Sequence, residues 1–363
     1  MDLSDDAADV NSAAGRAELG DRLRKQHRLA DAEAAYRAAI ALDPQLARAH
    51  SGLGLVLRDT RRYAEAEAAC REAVRLDPRY APAHNALGVV LRDTKRYAEA
   101  EAACREAIRL DPDLAAAHAN LGAVLHTTKR YKEAEAACRE AIRLDPGLGA
   151  AHVNLGVVLR ATKRYVESEV ACRKAIRLDS DNPLAHLNLG VVLSRTNQYA
   201  EAETEYRDAI RLDPDLATAH VNLGSVLHAT KRCAEAEAAC REAIRLDPDL
   251  ALAHVNLGVV LRGTLRYAAP EALRGNKRYV EAVAAFREAI RLDPDLATAH
   301  LNLGALMHAT KLYAEAEAAF REATRLDPDL ATAHLYLGGC CTRPSGTQRP
   351  GPSTRRRHAL TLT

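Results

Sequence analysis

The sequence predicts an all-α solenoid, a superhelix of stacked helix-turn-helix units, and three features predict it. The first is a period. The Asp of a Leu-Asp-Pro or Leu-Asp-Ser stop falls at Asp43, Asp77, Asp111, Asp145, Asp179, Asp213 and Asp247, always 34 residues apart, then at Asp293 after 46 and at Asp327 after 34. The second is composition: of 363 residues 48% are apolar, yet there is no Trp and there are only two Phe. Such a core is built from Ala, Leu, Val and Ile, which suits thin, closely packed helices better than a sandwich or barrel. The third is spacing within a period. In residues 115–148 the segments AAAHANLGAVLHTT and YKEAEAACREAIRL each carry apolar residues three and four apart, the pattern of a helix pair.

The chain opens on an acidic tail, residues 1–12, carrying Asp2, Asp5, Asp6 and Asp9. This start lacks a signal peptide's basic and apolar regions, and no apolar run approaches the roughly 20 residues that cross a bilayer. A cytoplasmic or nuclear location is therefore expected, with no membrane partner. Lys and Arg total 51 against 49 Asp and Glu, a balance that offers no general attraction to nucleic acid. Residues 13–330 divide into nine units. In all but the unit that ends at Asp179-Ser180, Asp-Pro ends the second helix, because the residue before proline leaves the α region and proline cannot extend the ladder. Each helix is too short to stand alone. Glu101 and Arg105 exemplify charged pairs four apart on the second helix. The eighteen residues Ala98 to Ala115 recur unchanged from Ala234 to Ala251, which points to growth by copying.

One phase slip of twelve residues fits an insertion at 265–276, where Pro270 and Gly275 favour a loop. Residues 331–342 begin a tenth repeat that never acquires its second helix, so its apolar face is a candidate for self-association. Residues 343–363, rich in Pro, Gly, Ser and Arg, read as a disordered basic tail.

Counting Ala47 as position one, position eight is Gly in every copy, and positions 20 and 27 are Ala apart from Ser168. Small residues there let helix axes approach closely. With Leu-Gly, small, aromatic and small positions and a final Pro in a 34-residue unit, the sequence resembles the tetratricopeptide repeat (TPR) family. It departs from the family pattern at three places. Position four is His in nine copies, from His50 to His334, where the family usually has Trp; position 24 is mostly Cys; and Lys or Arg stands at the turn between the helices, as in Thr128-Lys129-Arg130, where no Gly is present. If that turn needs a left-handed residue, each copy bears a strain cost.

Cys70, Cys104, Cys138, Cys172 and Cys240 alternate with Tyr36, Tyr206, Phe286 and Phe320 at one repeat position, which marks an apolar slot rather than a redox or metal site. The in-phase histidines are a helical hairpin apart, too far to share an ion, so a packing role is expected and no metal or cofactor. There is no Gly-rich phosphate loop, nucleophile elbow or HExxH motif, and no catalysis is expected.

The candidate binding feature is position six of the first helix, where Asn120, Asn154, Asn188, Asn222, Asn256 and Asn302 recur. In a superhelix the first helices line the concave face. A column of amides offers donors and acceptors to an extended peptide, with Val153, Val157, Leu187, Val191, Val221, Val255 and Val259 as an apolar bed. Position 12, occupied by Arg58, Arg92, His126, Arg160, His228, Arg262 and His308, reads as a polar rim, and an effect of pH on binding would enter through its three histidines, His126, His228 and His308. The expected role is a non-catalytic scaffold for protein or extended peptide. The wording His-x-Asn-Leu-Gly, as in His118 to Gly122, is similar to the TPR superhelix of O-linked N-acetylglucosamine transferase, whose asparagines hold substrate polypeptide. That resemblance implies the ladder without the catalytic domain, for which only about twenty residues follow the repeats; the alternative it raises is a substrate-recognition arm of such an enzyme.

Overall fold

The computed structural model describes residues 11–265 and 275–341, and these form 19 α-helices with no strand among the described residues. Most of the acidic start, residues 266–274 of the expected insertion, and the tail from 342 lie outside them. The chain divides into two compact units, one up to Pro214 and one from Asp215. In the first, six helix pairs run from Ala13–Lys25 with Leu29–Leu42 to Pro183–Arg195 with Tyr199–Leu212. In the second, three pairs run from Ala217–Ala229 with Cys233–Leu246 to Ala297–Ala309 with Tyr313–Leu326, and Ala331–Cys341 follows. Within each unit a first helix packs on its own second helix, and both pack on the first helix of the next pair.

What brings the two helices of a pair together is the glycine at position eight. A Cβ added at Gly122 would lie 2.5 Å from the Cys138 sulfur and 3.2 Å from the Ala134 carbonyl oxygen, so only a bare backbone fits. Ala134, the small residue of the facing helix, is fully buried in this contact, and Ala141, also fully buried, packs with Ala119 and with Ala151 of the next repeat. The cysteines thus fill the apolar slot that their alternation with Tyr and Phe implies. All five are buried and unbridged, and burial pushes the thiols of Cys70, Cys104, Cys138 and Cys240 up to about 12 and that of Cys172 to about 11. Thiols so shifted stay protonated and inert at neutral pH.

The turn from first to second helix does take a left-handed residue. Lys129 has φ 61°, its N–H bonds the His126 carbonyl at 2.9 Å, and the Arg130 N–H reaches back to Leu125 at 2.9 Å. This pair of bonds closes a helix end around a position that normally takes glycine. His27, Arg61, Lys95, Lys163, Asn197, Lys231 and Lys311 repeat it, with φ between 57° and 65°. The pair after Ala251–Gly263 departs from the alignment. There the second helix begins at Lys277, capped by the Asn276 side chain accepting from the Arg278 N–H at 2.8 Å, so Lys277 is helical and carries no such strain.

The loop between repeats is held at three points. Asp111 is extended (φ −137°, ψ 93°), as a residue before proline must be, and its carboxylate accepts from the Asp113 N–H at 3.1 Å. The His118 Nε2 then donates to the Pro112 carbonyl at 2.9 Å. The same bond, six residues back, is made by His50, His84, His152, His186, His254, His300 and His334 at 2.8 to 3.2 Å. Because a carbonyl can only accept, the ring proton sits on Nε2. These histidines are loop clamps, and among the described residues no three His, Cys, Asp or Glu side chains converge as metal ligands.

On the second helices, Glu101 accepts from Arg105 at 2.9 Å and from Arg130 of the next repeat at 2.8 Å. Arg62 with Glu33, Arg96 with Glu67, Arg164 with Glu135 and Arg278 with Glu237 continue this inter-repeat pairing. Each pair is solvent-exposed enough to contribute at most about 1 kcal/mol.

Candidate functional site

The six position-six asparagines are all half-buried. In the N-terminal unit the Asn120 Nδ2 donates to Asn85 Oδ1 at 2.9 Å and the Asn154 Nδ2 to the Ala119 carbonyl at 3.0 Å, both on the first helix of the preceding repeat. The Asn188 Nδ2 turns back on Leu184 of its own helix at 2.8 Å. In the C-terminal unit the Asn256 Nδ2 donates to Ser225 Oγ at 2.8 Å and to the Val221 carbonyl at 3.3 Å, and the Asn302 Nδ2 bonds Thr298 at 2.8 Å. The amide donors are therefore spent largely on orienting the side chain. What these bonds leave over is the Oδ1 acceptor, the complement of a peptide N–H, and at most of the asparagines the second Nδ2 hydrogen, the complement of a peptide carbonyl. Asn85, which sits one position out of column, enters only through its bond to Asn120; the period alone could not find it.

The apolar bed is narrower than the sequence suggests. Val153, Val221 and Val255 are buried at 7%, 1% and 3% exposure, because position five packs against the second helix and the next repeat, as Val153 does against Ala175 and Ala185. The accessible surface comes from position nine, through Val157, Val191 and Val259, and at position five only from Leu187, which is half-buried. In the N-terminal unit a cleft of about 220 Å³ is lined by Asn154, Val157 and Ala123 together with Arg92, His126 and Thr127.

All seven position-12 residues are half-buried. Arg58 and Arg92 are neutralised by Asp59 and Asp93. From the fourth repeat onward position 13 is no longer acidic, and the Arg160 Nε is buried without a hydrogen-bond partner among the described residues. His126 is held below its ordinary value by burial and then by the Arg160 charge, and stays neutral at pH 7. The His308 ring lies 5.4 Å from Tyr313 and 6.0 Å from Tyr336, His228 lies against Gly263, and Arg262 ends its helix.

The histidine that gains a charge partner is at position four. His186 Nδ1 lies 2.7 Å from Glu205 while its Nε2 holds the Ser180 carbonyl. The bond to Glu205 raises its pKa, against burial. The signal was present in the sequence as Glu205, where most repeats have Ala. Since the folded value lies above the unfolded one of about 6.5, the stabilisation is complete below that pH and is lost as pH rises through the folded value. We expect the guanidinium midpoint of the wild type to fall between pH 6 and pH 8 by about 1 kcal/mol more than that of Glu205→Ala. Parallel curves for the two proteins would remove His186 as the source.

Models of known families fit this repeat geometry along the chain. One described as tetratricopeptide repeat matches residues 17–81, 71–115, 86–148 and 187–251. The chain belongs to the tetratricopeptide repeat family. Two further TPR models match residues 271–311 and residues 149–182 with 297–330. Among solved structures, the chain is similar to one described as the APC/C hetero-tetramer Cut9-Hcn1, at 16% identity and TM-score 0.71 over 85% of this chain. It spans 59% of that structure's chain. It is also similar to an IFIT1 monomeric mutant with Gppp-AAAA, at 18% identity and TM-score 0.57, over 80% of this chain and 72% of the other. YrrB, described as a TPR protein with an unusual peptide-binding site, aligns at 21% identity and TM-score 0.39 over 56% of this chain and 98% of its own. No curated protein sequence matches the chain. At these identities the first two of these structures establish the TPR fold alone. No helix among the described TPR residues is long and apolar enough to cross a membrane.

Proposed function

We propose that this TPR chain is a non-catalytic protein-interaction scaffold that holds extended polypeptide along its first helices. The observation that carries the reading is the recurrence of one half-buried asparagine per repeat, at Asn120, Asn154 and Asn188 in one unit and Asn222, Asn256 and Asn302 in the other. Bonds from Nδ2 pin most of them, so that Oδ1 groups at a fixed repeat spacing can accept peptide N–H bonds without first losing side-chain freedom. Valines at position nine supply contact that is indifferent to sequence. Arg58, Arg92, His126, Arg160, His228, Arg262 and His308 would border the bound chain. Within each unit three hydrogen bonds at about 0.5–1.5 kcal/mol each, less the cost of ordering a peptide, give millimolar or weaker affinity from the amides alone.

Changing Asn154, Asn188, Asn222 and Asn256 together to Ala is expected to keep the helical circular dichroism and to weaken recovery of bound proteins from native lysate. Equal recovery by the two proteins would count against the ladder. The second reading, a substrate-recognition arm of a glycosyltransferase like O-linked N-acetylglucosamine transferase, is favoured only by the His-x-Asn-Leu-Gly wording. A nucleotide-sugar transferase reading frame contiguous with the last codon would support it. Self-association through Ala331–Cys341 predicts that removing everything after Leu330 shifts an oligomer to a monomer on a sizing column.

A further inference from the structure

A cleft of about 540 Å³ opens between the second helices Tyr131–Leu144 and Tyr165–Leu178, floored by Ile142, Leu155 and Leu159. The C-terminal unit repeats it between Cys233–Leu246 and Lys277–Leu292, with about 500 Å³ and a matching floor of Ile244 and Leu257. The hollow is thus a property of the repeat, and its chemistry depends on the wall. That wall carries Glu281, Ala284 and Glu288 in the C-terminal copy but Glu167, Val170 and Lys174 in the N-terminal one.

Val166, Val170 and Lys174 are four apart and so lie along one face of one helix. Val166 is 77% exposed and Val170 62% exposed, and no other complete repeat has large apolar residues at both positions. Two exposed β-branched residues weaken a helix and gain no packing within the chain. The charge changes with them. In every other complete repeat but the first, which has Ala38, this part of the helix is an acid bonded to an arginine three residues on, as in Glu140 with Arg143 and Glu288 with Arg291, both at 2.7 Å. Here Lys174 replaces the acid, and Lys174 and Arg177 have no ion pair among the described residues. An apolar ridge therefore ends in two uncompensated cations.

We propose that this face of the repeat 149–182 docks an acidic amphipathic helix of a partner protein. Apolar side chains of the partner, spaced three and four apart, meet Val166 and Val170 over the cleft, and carboxylates one turn further on meet Lys174 and Arg177. This surface is on the second helices and does not depend on the asparagine column.

The probe is a fluorescein-labelled helical peptide of about four turns with Leu at every third or fourth position and Glu on both flanks, beside a twin with Lys for every Glu. Fluorescence anisotropy with the full chain should show saturable binding of the Glu peptide that weakens with salt, and none of the Lys peptide. The triple change Val166→Ala, Val170→Ala and Lys174→Glu, which restores residues found at these positions in other repeats, should weaken binding at least about tenfold and leave the asparagine-dependent recovery of lysate proteins unaltered. Ala284→Val with Glu288→Lys, beside the native Val280, should install a second site and double the stoichiometry. Undiminished binding by the triple variant, equal binding of the Lys peptide, or no saturable binding of the Glu peptide would overturn the proposal.

Discussion

Replacing Lys95, Lys129, Lys163 and Lys231 with glycine raises the stability of the chain by about 2–4 kcal/mol in total. All four sit at φ between 61° and 65° at the close of a first helix. There an L side chain crowds the following carbonyl at about 1–2 kcal/mol per residue, and glycine does not. Glycine gives back part of that gain, about 0.4–1 kcal/mol, through the greater freedom of its unfolded chain, so each site nets about 0.5–1 kcal/mol. In a solenoid the terms sum, because each turn is local to its own repeat. Two controls separate backbone strain from lost charge. Lysine to alanine at the same four sites keeps the strain and should leave the guanidinium midpoint nearly in place. Asn197→Gly, at φ 62°, should gain least, since asparagine tolerates this region better than lysine. If the four-glycine protein unfolds at the same or a lower midpoint, the turns are not strained.

This strain was legible in the sequence because it follows from backbone geometry and the absence of one residue type. The helix pairs, their stops at Asp-Pro and the glycine and alanine contacts were legible for the same reason: they repeat, and repetition reveals position. Partners are another matter. A period says that His118 recurs, but the carbonyl of Pro112 that it clamps becomes visible only once the loop is folded. Likewise it marks Asn154 as one of a column without showing that its Nδ2 goes to Ala119, and it treats Val153 and Val157 alike although only the second stays accessible. Features confined to one copy are lost most easily, because comparing repeats emphasises what they share. Glu205 and Lys174 are each a single departure from a repeated residue, and each changes the charge of its own repeat.

Alanine at Gly190 or Gly258 tests the packing that holds each pair together. In an isolated helix glycine to alanine is favourable by about 1 kcal/mol. At Gly149, where the nearest atom to an added Cβ is 3.8 Å away, that preference should prevail and the protein should be slightly stabilised. At Gly190 the new Cβ would lie 2.7 Å from the Tyr206 ring, and at Gly258 2.6 Å from the Phe286 ring. Both rings are fully enclosed, at 1% and 0% exposure, and cannot swing clear. Overpacking of this kind costs about 1–3 kcal/mol per site, which exceeds the propensity gain, so the sign reverses along one chain for one chemical change. The double variant Gly190→Ala with Gly258→Ala is expected to lose up to about 4 kcal/mol in guanidinium unfolding once the propensity gain is subtracted, the two sites lying in separate units and adding nearly independently. The backbone that must shift also carries Asn188 and Asn256, each two residues before its glycine, so recovery of bound protein should fall even where the double variant remains folded. A double variant as stable as Gly149→Ala would mean that the pairs are not closed by glycine against the ring, and the spacing of the asparagine column would lose its physical basis.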